Sequence, residues 1–111
     1  MVDIATFSSL DIRIGRVTDV QDHDKAKKPM YKLTVDFGKE IGVRQIVAGI
    51  KPYYTREELL GRKIACIVNL DYKMIAGEES QGMLLAAGEG GDGAVALLVP
   101  VRDIQEGSRV H

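Results

Sequence analysis

The chain has no tryptophan, one cysteine, two histidines and only six aromatic rings, four from tyrosine and two from phenylalanine. A lone Cys66 forms no internal disulfide, and with His23 and His111 as the only imidazoles there is no zinc-ligand spacing. Nothing in the order of residues supports a Cys-His or Ser-His pair, so no catalytic residue, metal or cofactor is assigned. Cys66 lies among Ile64, Ala65, Ile67 and Val68 and reads as a small buried hydrophobe, which fits a reducing cytoplasm. No run approaches the roughly 18 apolar residues that cross a bilayer. Met1 to Leu10 also lacks a basic start followed by an apolar stretch, so neither export nor membrane insertion is expected.

What is present is a soluble composition, 45% apolar and 28% charged over 111 residues, which predicts one domain spanning 1–111 with a single core. The net charge is only −1, yet its distribution is uneven. Residues 1–24 carry two basic and five acidic groups, 25–73 carry eleven and five, and 74–111 carry two and six. Two readings stand: one basic face on a nearly neutral body, suited to a polyanion, or solvated lysines pointing all round.

Tyr31, Leu33, Val35 and Phe37 alternate with Lys32, Thr34 and Asp36, a two-residue period that predicts a strand. Ile12, Ile14, Val17 and Val20 predict another, with the spacing slipping near Gly15, where a bulge or bend is expected. Val43 to Ala48 predicts a third strand, hairpinned to the second across the Gly38 to Gly42 turn. Thr55-Arg56-Glu57-Glu58 has the form of a capping box, and Gly61 ends the short helix it opens. Lys63 to Leu70 predicts a central fourth strand, apolar on both faces, and Gln81 to Ala87 a fifth. Ala94 to Val101 is apolar without alternation, as in a segment covered on both sides. The fold expected is all-β, an OB-fold: a five-stranded barrel with one short helix between strands three and four.

Between the fourth and fifth strands the sequence runs NLDYKMIAGEESQGMLLAA, from Asn69 to Ala87, a loop held at both ends by buried strands and so a rigid place to present side chains. The GEGGDG run at Gly88 to Gly93 lacks the Lys-Ser/Thr and helix of a phosphate-binding loop and reads as a turn. Lys25, Lys27, Lys28 and Lys32 flank the second strand, and Arg62, Lys63 and Lys73 bracket the fourth. Converging with Arg44, they would favour a polyanion. A surface that grips single strands offers several exposed rings. Here only Tyr72 and Tyr31 are placed to serve, so an RNA ligand would be recognised by its phosphates, 2′-hydroxyls and folded shape.

LDIRIG (Leu10 to Gly15), VDFG (Val35 to Gly38), RQIVAGI (Arg44 to Ile50), YTREELLGRK (Tyr54 to Lys63) and the NL…K…G…SQGM…LAA series from Asn69 resemble the stand-alone tRNA-binding domain. That domain occurs as the C-terminal or β-subunit part of methionyl-tRNA synthetase and as free dimeric tRNA-binding proteins. A second branch, the CsaA proteins described as secretion-related chaperones, is also similar: Lys28-Pro29 and Glu40-Ile41-Gly42 are of its type, whereas SQGM at Ser80 to Met83 follows the synthetase type. HDKAKKPMYKL replaces the family's usual His-Pro…Ala-Asp-Lys-Leu, and Leu-Asp-Tyr-Lys-Met-Ile replaces Leu-Lys-Pro-x-Lys.

The resemblance implies extra terminal strands on the barrel, a homodimer, and tRNA bound by shape without choice of sequence. It places Asn69, Lys73, Ser80, Gln81 and Met83 at the centre of the RNA surface, with Arg44 and Lys63 as neighbouring phosphate partners and no chemistry of the domain's own. Met83 reads equally as core, because it opens an apolar strand. Dimerisation would use the opening segment and the Ala94 to Val110 tail. The partners implied are tRNA and an aminoacyl-tRNA synthetase; under the alternative, a peptide-binding export chaperone, they are unfolded exported preproteins. Glu78 and Glu79 would repel phosphate unless turned away.

Overall fold

The structure, a computed structural model, describes residues 1–111. Its organising strand is β1, Ile12–Asp22, which serves two partners in turn. Ile12 to Arg16 pairs antiparallel with β4 (Lys63–Ile67), and Arg16 to Asp22 pairs antiparallel with β2 (Tyr31–Asp36). The strand therefore bends around Arg16. The residue before the bend is Gly15, where an added Cβ would lie 2.5 Å from Val35 Cγ1 and 2.6 Å from the Phe37 ring. The expected slip at Gly15 is corrected in this respect: the register shift falls between Val17 and Asp19, and Gly15 serves close packing at the bend.

β2 hairpins to β3 (Val43–Ala48) through a four-residue helix, α2 (Gly38–Ile41), and the order across the sheet is β3-β2-β1-β4-β7, with β7 at Met83–Leu84. β7 also packs against β3, which brings the five antiparallel strands to a nearly closed barrel. An opening helix, α1 (Ile4–Ser8), is capped by Asp3, and α3 (Arg56–Leu59) sits between β3 and β4 with the Thr55–Glu58 capping box formed in both directions. This is the expected all-β OB-fold, with Val17, Leu33, Val35, Phe37, Ile46 and Ile64 among the barrel core.

β4 is apolar on both faces, as its sequence predicts, and the two faces meet different surroundings. Ile64 and Cys66 point into the barrel, while Ala65 and Ile67 join Ile12 and Ile14 in a second cluster covered by Leu10, Leu85 and Val110. Burying each large aliphatic chain contributes about 1.5–3 kcal/mol, so the terminal segments are fixed chiefly by this outer layer. Backbone bonds from Gly107 and Val110 to Ile14 and Ile12 add to it.

Strand lengths after Ile67 differ from expectation. The fourth strand stops at Ile67 rather than Leu70, and the fifth is two residues, Met83–Leu84, after which the chain leaves the barrel. Ala86–Gly88 (β8) pairs with Val95–Leu97 (β9) across the glycine turn instead. Within the stretch read as a loop lies a further hairpin, β5 (Lys73–Ile75) with β6 (Glu78–Ser80). Its two-residue turn holds Ala76 at φ 49° and Gly77 at φ 85°, the positive pair that suits a tight hairpin. Ala76 is the only non-glycine residue with positive φ.

Candidate nucleic-acid interface

The short β5–β6 hairpin stays in place because side chains stitch it to the barrel edge left open at β3. Ser80 Oγ accepts the Val47 N–H at 3.0 Å and donates to the Gly82 carbonyl at 3.0 Å. Gln81 Oε1 accepts the Gln45 N–H at 2.9 Å, and the Gln81 N–H donates to the Gln45 carbonyl at 2.8 Å. A side chain and a backbone group of one residue thus replace two rungs of a strand ladder, satisfying β3 groups that would otherwise be orphaned. Gly82 completes this seam, since a Cβ there would lie 2.8 Å from the Ile67 carbonyl oxygen and 3.0 Å from Ile46 Cδ1.

Arg44 belongs to the same seam. Its Nη1 donates to the Val68 carbonyl at 3.1 Å and to the Gln81 carbonyl at 2.9 Å, and its guanidinium carbon lies 5.5 Å from the centroid of the Tyr72 ring. Asn69 works at the other end of the stretch: its Oδ1 accepts the Asp11 N–H and its Nδ2 donates to the Ser9 carbonyl, each at 2.8 Å. Asn69 therefore holds the chain after α1 against the end of β4.

Of the seven residues singled out from sequence, six gather in this region. Asn69, Arg44, Ser80 and Gln81 form its frame, while Lys73 and Met83 are exposed on it. Met83, which sequence left open between core and surface, is 48% exposed. Lys63 stands apart. It begins β4, at the end opposite Ile67, and its ammonium meets Asp103 at 2.7 Å, Glu106 at 3.6 Å and the Ile104 carbonyl. Asp103, hydrogen-bonded to Lys63, is held below the usual carboxylate range, and the Lys63 ammonium is correspondingly raised by the bond to Asp103.

On the hairpin face one cation, Lys73, is not cancelled in that way. Glu78 pairs with Lys32 at 3.7 Å, and Glu79 Oε1 accepts from Gln81 Nε2 at 3.1 Å, while the Glu79 carbonyl accepts from Gln45 Nε2 at 2.9 Å. The two glutamates are taken up by neighbours of the frame. Lys73 joins none of the chain's ion pairs.

Two features had no sequence signal. Gln45, at a strand position that alternation assigns only to a face, turns out to tie β3 to Glu79. His23, read as part of a charged loop, is buried, and its Nε2 lies 2.7 Å from the Ile75 carbonyl. This contact anchors the loop bearing the exposed Lys25, Lys27 and Lys28 beside the hairpin bearing Lys73. Cys66 is enclosed in the barrel, and burial pushes its thiol up to about 12, far from the thiolate a nucleophile needs.

A family profile described as "Putative tRNA binding domain" matches residues 12–109, nearly the whole chain and all of the seam. The chain belongs to the tRNA-binding domain family. This member is 48% identical over 110 residues to the methionine–tRNA ligase of Thermococcus onnurineus, covering 99% of the chain but 14% of that protein's length. The domain thus spans about a seventh of the curated relatives it matches. Among solved structures, the CsaA chaperone of Picrophilus torridus superposes with a TM-score of 0.90 at 38% identity, covering 100% of both chains. A MetRS-related protein from Pyrococcus horikoshii superposes at 0.88 with 38% identity, over 100% of this chain and 98% of that one. The barrel and its terminal additions are common to both kinds of neighbour.

Proposed function

We propose that this tRNA-binding domain holds folded tRNA by shape and by phosphate contacts through the hairpin face, as a homodimer, in the cytoplasm and as an accessory to an aminoacyl-tRNA synthetase. The domain carries no chemistry of its own in this reading. The observation that carries it is the match across residues 12–109 together with an unpaired Lys73 on a face where Glu78 pairs with Lys32 and Glu79 accepts from Gln81. Lys73 makes the direct phosphate contact and Met83 lies against the RNA. Asn69, Ser80, Gln81 and Arg44 hold the surface in shape, and the anchored Lys25–Lys28 loop extends it. Lys63, whose charge is matched locally, lies outside it.

The test is titration with unfractionated tRNA at several salt concentrations. Binding whose log-log salt slope amounts to several units, at about 0.7–0.9 per phosphate neutralised, supports the reading. Lys73→Ala is expected to weaken affinity and flatten the slope by about one unit. Absence of binding at low salt rejects the reading.

One observation favours a second reading, a peptide-binding export chaperone with unfolded preproteins as clients: the similarity to the CsaA chaperone runs over 100% of both chains. Binding of an unfolded apolar peptide in place of tRNA is its expected signature.

A further inference from the structure

Tyr72 sits just before β5, where the Lys73–Ser80 pairing fixes the chain beside Gln81. Arg44 reaches the same point from β3 through its bond to the Gln81 carbonyl, and the two side chains meet with the guanidinium over the ring. Both are positioned by one backbone segment, so the ring is held in a set orientation. Its cationic backing is fixed as well, since Arg44 Nη1 is bonded to two carbonyls. Even so, the Tyr72 residue is 50% exposed. Met74, its neighbour but one, is also exposed, and Lys73 between them is free of carboxylate partners.

A ring that is half exposed, with a pinned guanidinium 5.5 Å from its centroid, is preorganised to stack. We propose that Tyr72, backed by Arg44, is a binding site for a single unpaired nucleobase of the bound RNA, which stacks on the ring while Lys73 takes the adjoining phosphate. Stacking suits any base because every base has a π-face, and an adjacent guanidinium adds a cation–π contribution. One platform selects no sequence. It does select structure, because a base inside a duplex cannot reach it. The surface then demands an extruded or looped-out nucleotide at a fixed distance from the phosphates of a folded molecule.

The inference rests on the tRNA-binding reading, and the experiment separates the two. Wild type, Tyr72→Ala, Tyr72→Phe and Lys73→Ala are titrated with unfractionated tRNA at several salt concentrations, with denaturant midpoints measured for each. Tyr72→Ala is expected to bind about tenfold more weakly with an unchanged salt slope, because a stacked base is lost and no phosphate contact with it. Tyr72→Phe keeps the ring and is expected to stay within about twofold of wild type. Tyr72→Leu, which has apolar bulk but no π-face, replaces the alanine variant if that one is unstable. Unchanged affinity of Tyr72→Ala overturns the inference, as does an equal loss in Tyr72→Phe, which would place the contact at the hydroxyl. In either case the broader reading stands so long as wild type binds and Lys73→Ala flattens the slope. If wild type does not bind tRNA at low salt, the broader reading itself has failed and the inference with it.

Discussion

Two faces of this small barrel expose apolar side chains, and they differ in how the charge beside those side chains is paired. The terminal face, built where the tail crosses the outer cluster of Ile12, Ile14, Ala65 and Ile67, bears Leu98, Val99, Val101 and Ile104 at its surface. A cleft of about 360 Å³ opens there between Ile14, Leu98, Ile104 and Val110. Four of the cations around it are matched, Lys63 to Asp103 and Glu106, Arg16 to Glu106, Arg13 to Asp11 and Glu40, and Arg109 to Asp11, while Arg62 and Arg102 beside Val99 and Val101 join no ion pair. The hairpin face bears Tyr72, Met74 and Met83, and its Lys73 is matched to nothing. A surface that is to be covered by another apolar surface must not carry stray charge into the contact, because an unpaired ion there is expensive to desolvate. A surface that is to meet a polyanion keeps a cation in reserve. The apolar cleft, whose lining Arg109 is paired with Asp11, suits a protein partner on the terminal face, a second copy in the reading adopted above, and the unpaired Lys73 suits a nucleic acid on the hairpin face.

The sharpest way to break the contrast is to put charge where it is excluded. Leu98→Asp places a carboxylate at the cleft of the terminal face. Wild type is expected to sediment at twice the 12.2 kDa chain mass and the variant at that mass, with tRNA contacts of the single chain preserved. A variant that still sediments as a dimer would remove the terminal face from self-association.

Next in size is Ser80→Ala. Its hydroxyl is buried and serves one donor and one acceptor of the seam, so removal leaves the Val47 N–H without a partner. The expected loss is about 1–3 kcal/mol in denaturant unfolding. A loss of tRNA affinity without loss of stability would instead make Ser80 a direct contact, in keeping with its place in the SQGM motif.

That duality marks what the sequence could tell. The alternation from Tyr31 to Phe37, the capping box at Thr55 and the doubly apolar β4 were legible because each signal is local: a side-chain period, a three-residue spacing, a run. The Lys73–Ser80 hairpin was not, since strands of three residues are too short to show a period and Ala76-Gly77 is not a common hairpin turn. Ser80, Gln81, Asn69 and Arg44 were legible as a group, through resemblance, but not in what they do. Their partners lie across the fold, Val47 some 33 residues from Ser80 and Ser9 some 60 from Asn69. The same holds for Glu78 and Glu79. In sequence they are two negative charges beside a proposed phosphate site; in space the Glu78 carboxylate pairs with Lys32 and the Glu79 carboxylate accepts from Gln81.

The smallest effect concerns Lys63, where the two faces compete for one cation. Asp103 is held below its ordinary value by the Lys63 hydrogen bond, and Glu40 by the Arg13 bond. A carboxyl whose folded value is depressed contributes stability that is present above the ordinary carboxylate value of about 4 and is lost as pH falls through the lower folded value. The raised Lys63 ammonium acts oppositely, its share lost only as pH rises above the ordinary lysine value of about 10.4. Between these limits stability should be flat with respect to this pair. In Lys63→Ala the acid loss is expected to shrink slightly, because Asp103 returns towards its ordinary value, and the effect stays small because Asp103 is exposed. The same variant should leave the tRNA salt slope unchanged, in contrast to Lys73→Ala. If Lys63→Ala flattens the slope by a unit instead, its ammonium leaves Asp103 for a phosphate when RNA arrives, and the basic surface runs along β4 to the terminal face.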